Sequence, residues 1–199
     1  MTKKIYNDRC FEILSLYSQN WKAEFYTREI ARLTNNKLGT VQLSLAKLKD
    51  GKIIVSKLKG KHKYWNLNLK NPLTKYFLEM VEIYKTSKFL VKYTKLFSFL
   101  REIAKLNING LVVIFGSFAK SEATKNSDLD ILIIGDKKEK VEKIKYLLPC
   151  KLHCVELTNK NFIDGLNKKD FFVKEILENH IILTSTSKWI SILGQYYER

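Results

Sequence analysis

Apolar residues recur along this chain at two different periods, and the changes of period mark its elements. Near the front, Ile5, Phe11, Ile13, Leu14 and Tyr17 predict a first helix, closed by Ser18-Gln19-Asn20. Thr27 through Leu33 begins on a capping threonine and predicts a second, short helix, with a turn at Asn35-Asn36-Lys37. Val41, Leu45 and Leu48 then stand at core spacing on a third helix that stops at Asp50-Gly51. Ile53-Ile54-Val55 and Tyr64-Trp65-Asn66-Leu67 read as two strands around a basic tip, Lys59-Gly60-Lys61-His62-Lys63.

Residues 72–107 contain no glycine and open on Pro72. Leu73, Phe77, Met80, Tyr84, Tyr93, Phe97 and Leu100 recur there at helical steps, predicting one long helix or two with a break at Thr86-Ser87-Lys88. Its first part has apolar residues to spare, for a dimer partner or for packing on the N-terminal segment. The period then changes. Leu111 through Phe115 is a continuous apolar run, a buried strand that Gly116 ends in a turn, and Ser117 opens a short helix. A second strand starts at Asp128 and runs through Ile134, a charged helix covers 137–148, and a third strand covers 152–157. The remainder reads as short helices with an apolar piece at 181–183, and Trp189, Tyr196 and Tyr197 read as packing residues.

Composition narrows the class. With 199 residues, 45% of them hydrophobic, and only two prolines, the chain can bury one large core or two small ones. No apolar stretch approaches a transmembrane helix, and the first ten residues lack the apolar segment of a signal peptide. Three cysteines, Cys10, Cys150 and Cys154, are an odd number and read as reduced thiols of a cytoplasmic protein. Cys150, His153 and Cys154 lack a fourth ligand at zinc spacing and read as a strand and its lead-in. The net charge of +16 is uneven: residues 1–70 hold 15 Lys and Arg against 5 Asp and Glu, residues 108–199 hold 14 against 12. A polyanion partner is therefore expected at the front of the molecule.

The candidate chemistry lies in 114–134. Unpaired backbone N–H groups after Gly116, beside the Ser117 hydroxyl, suit a phosphate. Asp128 and Asp130 are two apart, so on a strand they project together while Leu129, Ile131 and Ile133 face away. Two carboxylates on one face repel unless a cation lies between them, and a hard divalent ion suits oxygen ligands. Glu156 is the one acid of the third strand, costly to bury there without a cation or partner. Asp164 and Asp170 are its fallbacks, reading as helix caps or loop positions.

Gly116-Ser117, ten residues, then Asp128-x-Asp130 resembles the motif of minimal nucleotidyltransferases in the DNA polymerase β superfamily. Phe118-Ala119-Lys120 and Asn126-Ser127-Asp128-Leu129-Asp130 are typical of its small prokaryotic members, although Ser121 stands where these usually carry Gly. The resemblance implies a C-terminal domain with a small mixed sheet flanked by helices. It implies Mg²⁺ held by Asp128, Asp130 and Glu156 (a position where relatives more often have Asp), and a triphosphate gripped by Gly116 and Ser117. An NTP, with ATP expected, would give its nucleoside monophosphate to a protein, an RNA end or a small molecule. Some small relatives modify RNase toxins as antitoxins, which brings a toxin into view as protein partner.

The N-terminal order of helix, helix, turn, helix and basic hairpin is similar to a winged helix-turn-helix. Residues 39–70 resemble the recognition helix and wing of small prokaryotic transcription regulators. That implies a DNA partner, with Thr40, Gln42, Ser44 and Lys47 at groove edges and Lys57, Lys59, Lys61 and Lys63 on phosphate. Leu43 stands where relatives often place a polar or basic residue. The expected architecture is α+β: a winged helix over 1–70, a helical connector over 71–107 and a nucleotidyltransferase domain over 108–199. Two rival readings stay open: a DNA-binding regulator whose C-terminal half senses nucleotide or is silent, and a partner-binding, antitoxin-like scaffold.

Overall fold

The computed structural model describes residues 6–198, so Ile5 of the first helix lies outside the described residues. The chain divides into two compact units, one up to Val81 together with Glu198, the other Glu82–Tyr197.

The first unit contains α1 (Asp8–Ser15), β1 (Phe25–Tyr26), α2 (Thr27–Leu33), α3 (Leu38–Asp50), β2 (Ile54–Lys59) and β3 (His62–Leu67). The strands form an antiparallel sheet in the order β1-β3-β2. Ile13, Leu14, Ile30, Leu45 and Leu48 are buried at its centre, each contributing about 1.5–3 kcal/mol by leaving water. Trp65 is fixed at both ends of its peptide and ring: its carbonyl accepts from the Tyr17 hydroxyl at 2.9 Å and its indole N–H donates to Thr27 Oγ1 at 3.0 Å. Thr27 is therefore not the cap of α2. Tyr26 holds that position, and the Glu29 carboxylate reaches back to the Tyr26 N–H at 3.4 Å.

Helix α4 (Leu73–Lys92) runs unbroken through Thr86-Ser87-Lys88. The Thr86 hydroxyl has two carbonyls within donating reach, Ile182 at 2.8 Å and Glu82 at 3.0 Å, and the Ser87 hydroxyl donates to the Tyr84 carbonyl at 2.8 Å, so both polar groups are satisfied without breaking the helix. The break falls instead at Tyr93, before a 3₁₀ turn at Thr94–Leu96 and α5 (Phe97–Lys105). Leu73, Tyr76, Met80 and Ile83 lie exposed at three- and four-residue steps along α4.

The second unit continues with β4 (Leu111–Phe115), α6 (Gly116–Ala119), β5 (Leu129–Ile134), α7 (Glu139–Glu142) and β6 (Leu152–Leu157). It closes with α8 (Asn159–Lys168), α9 (Phe171–Glu178), β7 (Ile181–Ile182) and α10 (Thr186–Tyr197). Its sheet has the order β6-β5-β4-β7, with β5 and β6 parallel and the other pairs antiparallel. Strand alternation sends Leu129, Ile131 and Ile133 to one face, where they pack with Phe89, Phe99 and Ile103. The charged helix expected over 137–148 is only one turn of α-helix, followed by a 3₁₀ turn at Lys145–Leu147.

A buried polar cluster sits within this unit. Lys85 Nζ donates to Glu82 Oε2 at 2.8 Å and lies 2.8 Å from His180 Nε2, itself 3.1 Å from Glu82 Oε2. His180 Nδ1 faces the Ile176 and Leu177 carbonyls at 3.1 and 3.0 Å, so Nδ1 carries a proton. Burial pushes the Glu82 carboxyl up, but Lys85 and His180 outweigh it and hold the group down at about 2. Among the described residues no helix is long and apolar enough to cross a membrane.

Candidate active site and nucleic-acid interface

Antiparallel pairing of β4 with β5 brings Phe115 opposite Asp130, so the turn after Phe115 arrives beside that carboxylate. Gly116 meets two demands there. Its φ is +68°, where a side chain is strained, and a Cβ would overlap Asp130 Oδ2 and stand 3.2 Å from Asp130 Cγ. Ser117 follows, half-buried, at the start of α6. Asp130 is partly exposed on the face opposite Leu129, and Asp128 is exposed just before β5 begins. Burial pushes the Cys150 thiol up, and the Asp128 charge nearby adds to it.

The third position differs from expectation. Parallel register pairs Asp130 with His153 and Ile133 with Glu156. Residues an odd number apart on a strand point to opposite faces, so Glu156, three beyond His153, faces away from Asp130. Its carboxylate instead accepts from the Lys138 N–H at 3.1 Å and Lys137 Nζ at 3.2 Å. Those two bonds hold it below the ordinary glutamate range. Glu156 is thus corrected from third carboxylate to an anchor of the segment before α7. His153 takes the place facing Asp130, with Nδ1 3.1 Å from Asp130 Oδ1.

The fallbacks do not replace it. Asp170 caps α9, accepting from the Phe172 and Val173 N–H groups, and Asp164 is exposed on α8. Among the described residues no group of three or more His, Cys, Asp or Glu could hold a metal ion. Adjacent His153 and Cys154 point to opposite faces of β6, which removes the zinc reading on geometry as well. Asp128 and Asp130 offer oxygen donors only. That donor type suits a hard cation such as Mg²⁺, whose other positions fall to water or phosphate oxygens. The loop between the motif halves carries strain at Ser121, φ +63°, and Lys92 Nζ donates to its carbonyl at 2.9 Å.

In the first unit the helical period sorts the expected groove residues. Ser44 is 3% exposed, on the same face as Val41, Leu45 and Leu48, so its assignment to a groove edge is corrected: it belongs to the core. Thr40 and Gln42 are exposed, Lys47 is half-buried, and Leu43 is 70% exposed at the middle of the outward face. Lys59 is bonded to Glu24 and lies over the Tyr64 ring, whereas Lys61 and Lys63 are exposed. A hollow of about 370 Å³ gathers Arg28, Gln42, Lys61 and Lys63 between α2, α3 and the hairpin tip. Arg28 was not among the expected contacts; its place in the first turn of α2 was the available signal.

A comparison with curated proteins finds no match. Among solved structures, the chain is similar to the homodimeric winged helix-turn-helix DNA-binding domain of a possible ArsR-family transcriptional regulator from Mycobacterium bovis. The identity is 25%, over 41% of this chain and 70% of that one, with a TM-score of 0.34. Residues 94–183 match the family model of the nucleotidyltransferase domain.

Proposed function

We propose that the C-terminal half transfers a nucleoside monophosphate from an NTP, ATP being the expected donor, to an acceptor hydroxyl. The observation that carries this reading is Gly116 turning directly against the Asp130 carboxylate, inside the segment that matches the family. Backbone N–H groups at Gly116 and Ser117, with the Ser117 hydroxyl, bind the β- and γ-phosphates. Asp128 and Asp130 would hold Mg²⁺, which when bound neutralises charge on the triphosphate. His153 fixes the orientation of Asp130. The acceptor oxygen bonds to the α-phosphorus, pyrophosphate leaves with the bridging electron pair, and the hydroxyl proton passes to water. Glu156 takes no part. Incubation with Mg²⁺ and α-labelled NTPs tests this: label transfer by the wild type is lost in Asp128→Asn and Asp130→Asn. Absence of both transfer and triphosphate binding would exclude the enzyme.

We further infer a winged helix-turn-helix in the first unit, binding duplex DNA through Arg28, Gln42, Lys61 and Lys63. Their convergence in one hollow, within a segment carrying 15 basic and 5 acidic residues over 1–70, supports it. Each phosphate contact steepens the salt dependence of binding by about 0.9 in log–log slope. Lys61→Ala/Lys63→Ala should therefore flatten that slope while Lys59→Ala, already paired with Glu24, changes it little. The exposed α4 stripe is read as the face for a second copy.

The rival reading, a DNA-binding regulator whose second unit only senses nucleotide, draws on one observation. An imidazole, not an acid, faces Asp130. Triphosphate binding without label transfer would favour it.

A further inference from the structure

Behind the loop that joins the two halves of the motif lies a cavity of about 610 Å³. Lys92, Lys95 and Lys125 line it, and no acidic side chain does. Lys92 and Lys95 come from residues 71–107, which hold 7 Lys and Arg against 3 Asp and Glu, and Lys125 comes from residues 108–199, which hold 14 against 12. Lys95 and Lys125 are exposed and make no ion pair among the described residues. One wall is aromatic: the Tyr93 and Phe118 rings lie 5.1 Å apart, and Lys92 lies 5.5 Å from the Tyr93 ring centre.

Sequence neighbours of the candidate active site line the cavity. Ser127, the residue before Asp128, lines it, as does Cys150, which sits close to the Asp128 charge. Phe118, next to Ser117, is on its wall. Ser127 on its lining brings a molecule seated there to the start of β5, beside Asp128. Exposed ammonium groups at Lys95 and Lys125, with Lys92 beside the Tyr93 ring, are the chemistry that receives a chain of phosphates carrying planar bases. A peptide hydroxyl or an uncharged small molecule would leave the lysines without partners.

We infer that this cavity seats the acceptor, and that the acceptor is the end of a single-stranded RNA whose phosphates meet Lys92, Lys95 and Lys125. The inference rests on the nucleotidyltransferase reading for its meaning but not for its test. Full-length protein is titrated with a fluorescent ten-nucleotide single-stranded RNA at several salt concentrations. Lys92→Ala/Lys95→Ala/Lys125→Ala is expected to weaken binding by at least about tenfold and to flatten the log–log salt slope by about 2. Because Lys92 also holds the Ser121 carbonyl, Lys95→Glu/Lys125→Glu serves as a second variant and should weaken binding comparably. RNA affinity and slope unaltered in both lysine variants would overturn the inference, as would label transfer to a protein acceptor at the wild-type rate in them. RNA binding that depends on the lysines, with no label transfer under any condition, would uphold the cavity and reject nucleotidyl transfer.

Discussion

His153 and Asp130 are register partners on parallel strands, and their side chains meet with Nδ1 3.1 Å from Oδ1. An imidazole therefore stands beside Asp130 where the resemblance would place a third carboxylate. Replacing it with an acid adds a donor on the correct face. His153→Asp is predicted to tighten Mn²⁺ binding by about tenfold in electron paramagnetic resonance titrations, since affinity follows ligand charge. Glu156→Gln, on the other face, should stay within about twofold of wild type. A loss of Mn²⁺ affinity in Glu156→Gln would contradict the assignment.

At Gly116 two costs add. The +68° φ strains any side chain, and a Cβ meets the Asp130 carboxylate. Gly116→Ala is predicted to lower stability by about 1–3 kcal/mol in urea unfolding and to weaken triphosphate binding. Both should change together.

Ser121 presents the reverse case. It holds φ +63°, a backbone conformation that favours glycine. Ser121→Gly removes that strain at the expense of some chain entropy, so a net gain of about 0.5–1 kcal/mol is expected in the same unfolding measurement. A loss of stability would mean that the serine makes a compensating contact.

Glu82 carries the clearest pH dependence. Its folded pKa, about 2, lies below the ordinary 4.5, so the carboxylate contributes stability in full above pH 4.5. That contribution is lost as pH falls from 4.5 toward 2. Wild type should lose stability across this window, and Glu82→Gln should show a flatter profile from a lower start. Replacing the carboxylate takes away the negative charge that faces the buried Lys85 ammonium, a cost of about 3–5 kcal/mol at neutral pH. Chemical unfolding from pH 2 to 7 measures both.

Much of this was legible in the chain because strong periods survive folding. The alternation from Leu129 to Ile133 gave the sheet face, and the apolar run ending at Gly116 gave the turn. What escaped depended on partners. The two-residue strands Phe25–Tyr26 and Ile181–Ile182 exist only because β3 and β4 lie beside them. Thr86 and Ser87 read as a break, but the hydroxyl of Thr86 reaches the Ile182 carbonyl of β7 and that of Ser87 a carbonyl of its own helix. Glu156 was chosen by charge along the strand, yet parity in the parallel register selects His153. Ser44 was chosen by polarity, yet its helical phase places it in the core beside Val41 and Leu48.

The decisive measurement is a crystal structure of the full chain with Mg²⁺ and a non-hydrolysable NTP. The triphosphate should lie against Gly116 and Ser117 with a cation bridging it to Asp128 and Asp130. A triphosphate bound elsewhere, or a cation on Glu156 with the two aspartates bare, would contradict the assigned site.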